Sequence, residues 1–110
     1  MSLLAGEIKE DIEVLKKIIL ENIPTEQIWL FGSYAYGTPN KNSDIDVYVV
    51  MKDNSSMREL DAMVAVDMAR YKKIHRPLDV LVVKSEEFMK RKEIPTIERK
   101  IVREGIKIYG

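Results

Sequence analysis

Two aspartates one residue apart, Asp44 and Asp46, follow a Gly-Ser pair, Gly32-Ser33, across a turn-rich loop. A short apolar run, Ile28 to Phe31, leads into the Gly-Ser pair, and an extended run, Asp44 to Met51, begins once the loop Thr38-Pro39-Asn40-Lys41-Asn42 is passed. In a strand, side chains i and i+2 share a face, so Asp44 and Asp46 project together beside the place where the Gly-Ser turn ends. Two carboxylates on one face repel each other unless a cation sits between them. A hard divalent ion such as magnesium selects that arrangement, because it takes oxygen ligands and commonly shares them with phosphates.

The flanking periodicities supply the remaining elements. Ile8, Ile12, Leu15 and Ile19 fall at steps of four, three and four, which predicts an amphipathic helix from about Gly6 to Asn22, stopped by Pro24. Gln27 to Phe31 and Asp44 to Met51 read as strands. Within the second, Ile45, Val47 and Val49 alternate with Asp44, Asp46 and Tyr48. Ser56-x-x-Glu59 resembles a capping box, and the helix after it, running to about Lys73, is expected to bury the stripe Leu60, Val64, Met68 and Tyr71. Met57, Met63 and Met68 are read as core filler. A third strand, Leu78 to Val83, opens after Pro77, and Ser85 is expected to cap a further helix. Pro95 starts a last helix that ends near Arg103 and Gly105, and Ile106 to Tyr109 can return as a short edge strand. The pattern predicts a single α/β (α+β) domain spanning residues 1–110, with a short mixed sheet of three to four strands and helices on one side of it.

Asp79 stands inside the apolar run Leu78, Val80, Leu81, Val82, Val83. A carboxylate there is costly unless it is paired or solvated. It either lies on an edge strand or beside a Lys or Arg, or it faces the same pocket as Asp44 and Asp46.

Composition narrows the function classes. Over 110 residues, 18 basic and 18 acidic side chains give a formal net charge of zero. Broad electrostatic affinity for nucleic acid needs an excess of Lys and Arg, so it is not expected. Local clusters such as Lys90-Arg91-Lys92 and Lys72-Lys73 with Arg76 read more simply as solvated helix faces. Cysteine is absent, which excludes disulfides, thiolate zinc sites and cysteine nucleophiles and is compatible with a reducing, cytoplasmic interior. No apolar run approaches the roughly 20 residues needed to span a bilayer, and no signal peptide is expected. Gly32 and Gly37 have the glycine spacing of a P-loop, but Thr38-Pro39 replaces the required Lys-Ser/Thr, so that motif fails.

Gly32-Ser33, the loop, and Ser43-Asp44-Ile45-Asp46 resemble the Gly-Ser…Asp-x-Asp signature of the polymerase-beta-like nucleotidyltransferase superfamily. The short length is similar to its minimal nucleotidyltransferase branch. The resemblance spans Ile28 to the strand carrying Asp79, and it implies transfer of a nucleoside monophosphate, AMP from ATP, to a hydroxyl of a protein or RNA acceptor. It further implies two magnesium ions held by Asp44, Asp46 and Asp79, with Asp79 also accepting the acceptor's proton. Gly32, Ser33, Tyr34, Lys41 and Ser43 would contact the nucleotide: Gly32 through an unobstructed backbone, Ser33 through its hydroxyl and amide. Minimal members often act as the antitoxin beside a helical HEPN partner, and a homodimer is the other source of a contact surface. Where many members read Gly-Ser-Arg-Ala-Arg-Gly, this chain has Tyr34 and Tyr36, which bring no positive charge. Weakened triphosphate binding is expected unless another base such as Lys41 compensates. The alternative is a non-catalytic module that binds nucleotide or neutralises a partner by contact.

Overall fold

The structure, a computed structural model, describes residues 6–37 and 43–110. Lys41 and most of the loop between the Gly-Ser turn and Ser43 lie outside them. The chain runs α1 (Gly6–Asn22), β1 (Thr25–Phe31), α2 (Ser33–Tyr36), β2 (Ile45–Met51), α3 (Glu59–Ala69), β3 (Leu78–Lys84), α4 (Ser85–Arg91), α5 (Ile97–Glu104) and β4 (Ile106–Tyr109). The four strands form one mixed sheet in the order β3-β2-β1-β4. β1 pairs antiparallel with β2 and β4, while β2 pairs parallel with β3 after the crossover through α3. Expected and observed elements agree closely, including the short final strand, except that α3 ends at Ala69 and not near Lys73, the chain turning at Arg70 to Lys73.

The sheet is covered on both faces, which corrects the expectation of helices on one side. Ile45, Val47, Val49 and Met51 of β2 pack with Ile8, Ile12, Leu15 and Ile19 of α1 and with Ala62 and Val66 of α3. The alternate residues Tyr48 and Val50 pack with Trp29, Phe31, Phe88 of α4 and Ile101 of α5. Strands buried on both faces read as near-continuous apolar runs, and beyond Asp46 the second strand has that character.

A second correction concerns α3. Its buried residues are Ala62 and Val66, with Met63 and Ala69 partly buried beside them. Leu60, Val64, Met68 and Tyr71, expected inside, are instead 63%, 48%, 73% and 70% exposed. The helix is apolar nearly all round, so periodicity does not select which face turns inward; the small Ala62 and Ala69 fit against the sheet and the larger side chains turn out. Ser56 does not cap this helix: Arg58 holds the N-cap position with no side-chain cap. Lys84, with no side-chain cap bond, holds that position for α4, and Ser85 Oγ donates to Glu26 Oε1 instead, at 3.0 Å. For α5 the helix begins after Thr96, two residues beyond the expected start near Pro95, and Thr96 Oγ1 accepts the Arg99 amide at 3.3 Å.

The second apolar face contains one polar network. Tyr48 donates to Glu98 Oε2 at 2.8 Å, and Arg91 donates to the same oxygen at 3.3 Å. Glu98 is only 2% exposed. Burial opposes its ionisation, but the Tyr48 hydroxyl, the helix backbone and Arg91 outweigh that and hold its carboxyl below the ordinary range. The Tyr48 phenol is pushed far above its usual value, first by burial and then by its bond to Glu98. This pair ties β2 to α5 and fixes the helical layer over the sheet.

Candidate active site

The site is built where β1 ends. Gly32 follows Phe31 with φ 73° and ψ −155°, a backbone conformation essentially reserved for glycine. It swings the chain directly into α2, a single turn in which Ala35 N bonds Gly32 O at 3.0 Å and Gly37 N bonds Ser33 O at 3.1 Å. Across the sheet Phe31 is the register partner of Asp46. The Asp46 side chain consequently lies against Gly32: a Cβ on Gly32 would stand 1.9 Å from Asp46 Oδ2 and 2.8 Å from its Cγ. Only a glycine leaves that carboxylate its place.

The parallel pairing of β2 and β3 brings in the third acid. Ile45 N donates to Pro77 O at 2.9 Å, which sets the register Ile45↔Leu78 and Asp46↔Asp79. Residues opposite one another in neighbouring strands point to the same face, so Asp46 and Asp79 head the row that continues as Tyr48–Leu81 and Val50–Val83. The helices α4 and α5 cover the lower part of that row, and Asp79, on edge strand β3, is exposed. Asp79 is thus an edge-strand residue whose register partner is Asp46. Asp44, exposed, sits just before β2.

Electrostatics record the same grouping. The Asp46 carboxyl is raised above its ordinary value, first by partial burial, then by the charge of Asp79 and by that of Asp44. The donor set is all carboxylate oxygen, which suits a hard divalent cation such as magnesium. Among the described residues, though, no three acidic or histidine side chains already stand at metal-binding spacing. Asp46 and Asp79 adjoin by register, and Asp44 adds its charge to the same carboxyl.

Of the residues expected to contact nucleotide, Gly32 and Ser33 lie at the turn beside Asp46, and Ser43 lies two residues before the second strand. Tyr34 behaves otherwise. It is 7% exposed, and its hydroxyl donates to the Ser43 carbonyl at 3.3 Å. Arg76 Nη1 donates to that same hydroxyl at 3.4 Å, while Arg76 Nε reaches Asp11 of α1 at 3.3 Å. The chain Asp11–Arg76–Tyr34–Ser43 thus links α1, the run before β3, the Gly-Ser turn and the run before β2. Sequence reasoning missed Arg76 as part of this region and assigned it to a solvated helix face. His75 is exposed and takes no part.

Residues 12–108 match the family described as Nucleotidyltransferase domain. The chain is 53% identical over 38 residues to Protein adenylyltransferase MntA of Shewanella oneidensis, covering 34% of this chain and 27% of that protein. It is 35% identical over 83 residues to a Methanocaldococcus jannaschii protein provisionally named protein adenylyltransferase MJ1379, covering 66% of this chain and 83% of the relative. The first of these matches thus spans only about a quarter of the relative's own length. A crystal structure of a provisionally assigned nucleotidyltransferase from Sulfolobus solfataricus superposes with TM-score 0.51 at 27% identity, over 82% of this chain and 84% of that one. A toxin-antitoxin structure with AMP-PNP shares the fold at TM-score 0.61 and 20% identity, over 91% of this chain and 73% of that one. With nearly its whole length matched, the chain belongs to the nucleotidyltransferase domain family.

Proposed function

We propose that this chain is a magnesium-dependent nucleotidyltransferase that moves AMP from ATP to a hydroxyl of a protein acceptor. The observation that carries the reading is the Asp46↔Asp79 register beside Gly32, with Asp44 adding its charge. Relatives named protein adenylyltransferase support the choice of nucleotide and acceptor. An RNA acceptor is the variant of this reading.

Asp44, Asp46 and Asp79 would hold magnesium, and bound ions would neutralise charge on the triphosphate and clamp the attacking and leaving oxygens. Gly32 lets the backbone approach the triphosphate with no Cβ in the way. Ser33 offers its hydroxyl and amide to a phosphate oxygen, and Lys41 supplies a positive charge. In the transfer, the acceptor oxygen forms a bond to the α-phosphorus, the bond from that phosphorus to the β-phosphate bridging oxygen breaks, and pyrophosphate leaves. Asp79, exposed at the strand edge, takes the proton from the acceptor hydroxyl. Most of such catalysis is positioning and charge neutralisation. With Tyr34 and Tyr36 at the places where the family resemblance leads one to expect arginine, turnover is expected to be low.

The toxin-antitoxin neighbour supports a toxin as partner and acceptor, and a helical HEPN protein is the proposed type. A cytoplasmic site of action follows from that pairing, and among the described residues no helix is long and apolar enough to cross a membrane.

The test uses ATP labelled at the α-phosphate, magnesium and the candidate partner. Label appearing on the partner, and lost in Asp44→Asn and Asp46→Asn, is the expected result. One observation favours a second reading, a binder that neutralises its partner by contact: the Tyr34 hydroxyl is committed to Ser43 and Arg76. Neutralisation that survives both substitutions with no label transferred would establish that reading instead.

A further inference from the structure

We propose that Arg76 is a positioning residue for Asp44, acting through the Tyr34 hydroxyl on the peptide that precedes that acid. The inference deepens the nucleotidyl-transfer reading and rests on it, because it takes Asp44 as a metal ligand. Asp46 is fixed by the strand ladder, where it pairs with Phe31 on one side and Asp79 on the other. Asp44 has no such place. It is exposed and lies one residue before β2 begins at Ile45. Where its carboxylate stands therefore depends on what holds the peptide on either side of it.

Both of those peptides are held from one dipeptide, Arg76-Pro77. After Asp44, the Ile45 amide donates to Pro77 O at 2.9 Å. Before it, the Ser43 carbonyl accepts the Tyr34 hydroxyl at 3.3 Å, and Arg76 Nη1 donates to that hydroxyl at 3.4 Å. A phenol oxygen accepts from the guanidinium while its own hydrogen is donated onward. The two bonds thus run in one sense, from the cation through the buried Tyr34 ring to the Ser43–Asp44 peptide, and each polarises the next.

Arg76 is itself anchored in backbone and side chain. Pro77 disfavours helical backbone at the residue before it, and Arg70, at the C-cap of α3, donates Nη2 to the Ile74 carbonyl at 2.9 Å and to the Arg76 carbonyl. At the other end, Arg76 Nε pairs with Asp11 of α1 at 3.3 Å. The two side chains are only 16% and 27% exposed, so solvent ions screen this pair less than a surface one. One planar fork therefore reaches α1 with Nε and the Gly-Ser turn with Nη1. A lysine ammonium keeps the charge but cannot reproduce the two fixed directions.

The test is manganese binding to the full chain, followed by electron paramagnetic resonance. Manganese stands in for magnesium, and the nucleotide is ATP with a methylene bridge between its α- and β-phosphates, which cannot release pyrophosphate. Arg76→Gln should weaken manganese binding about tenfold and speed hydrogen exchange at the Asp44 and Ile45 amides measured without metal. Tyr34→Phe should do the same, and the double variant should bind no more weakly than the weaker single one, because both act along one path. Arg76→Lys should recover melting temperature through Asp11 without recovering manganese affinity. Ile101→Val, a cavity on the opposite face of the sheet, should lower the melting temperature and leave manganese binding unchanged. Should Arg76→Gln fail to fold, Tyr34→Phe and Arg76→Lys carry the comparison. Wild-type manganese affinity in these Arg76 and Tyr34 variants overturns the proposal, as does an equal loss in Ile101→Val. Additive losses in the double variant overturn the route through Tyr34. A wild type that binds no manganese overturns the nucleotidyl-transfer reading itself, a failure distinct from wild-type binding that Arg76→Gln leaves intact.

Discussion

Gly32 and Asp46 occupy one another's space so closely that a single methyl group at Gly32 would fall 1.9 Å from Asp46 Oδ2. Gly32→Ala must therefore displace the carboxylate, and its positive φ adds about 1–3 kcal/mol of backbone strain. The expected outcome is a lower melting temperature and loss of nucleotidyl transfer, while the circular dichroism spectrum keeps its α/β shape. Alanine with wild-type transfer would mean that Asp46 does not need the position it has here.

Asp46 carries a cost that a neutral side chain removes. Its folded carboxyl is raised above the reference value of 3.8, so it favours folding at low pH and loses that contribution as pH rises through its folded value. At neutral pH, in the presence of a chelator, Asp46→Asn should raise the melting temperature. Magnesium with ATP should raise the wild-type melting temperature by mass action. That increment should vanish in Asp46→Asn. A variant that still responds to magnesium and ATP as the wild type does would remove Asp46 from the metal site.

The Glu98 carboxylate behaves in the opposite sense. Its folded value is lowered, so its contribution is present above its unfolded value near 4.5 and is lost as pH falls through the folded one. Wild-type stability should decline steeply below about pH 4.5. Tyr48→Phe removes the 2.8 Å donor and leaves Glu98 buried with Arg91. It should cost about 1–3 kcal/mol at neutral pH and flatten the acid limb, as measured by urea unfolding at stepped pH.

Tyr34→Phe tests the link between the Gly-Ser turn and the second strand. The hydroxyl joins the Ser43 carbonyl to Arg76, and its removal should cost about 1 kcal/mol. Hydrogen exchange should accelerate at the Ile45 amide, which bonds Pro77 O at the head of β3. Amides in the middle of α5 should be unaffected.

Much of this was legible along the chain. Ile8, Ile12, Leu15 and Ile19 share one stripe and are all buried, because α1 has charged residues on its other side and only one way to turn. The grouping of Asp79 with Asp46 was one of two open alternatives, since a strand's period fixes the face but not the neighbour. The orientation of α3 was not legible, because Leu60, Ala62, Val64, Val66, Met68 and Ala69 put apolar side chains all round it. Covering of the second face hid behind Tyr48, which alternates with the core row and falls in line with Asp44 and Asp46. Arg76 is brought to Tyr34 and Asp11 by tertiary packing, and no local pattern reports such a contact.

Among the described residues strand β3 has β2 as its one strand neighbour, so one rim of the sheet presents main-chain groups along Leu78–Lys84 with no strand partner there. Between Asp79 and Lys84 that rim is wholly apolar and β-branched or leucine, the composition that recruits foreign strands into aggregates. Asp79 and Lys84 stand at its two ends as charged gatekeepers. Removing the acid to disable chemistry would thus also strip a guard from the rim, and Asp79→Ala should precipitate where Asp79→Asn, polar still, stays in solution.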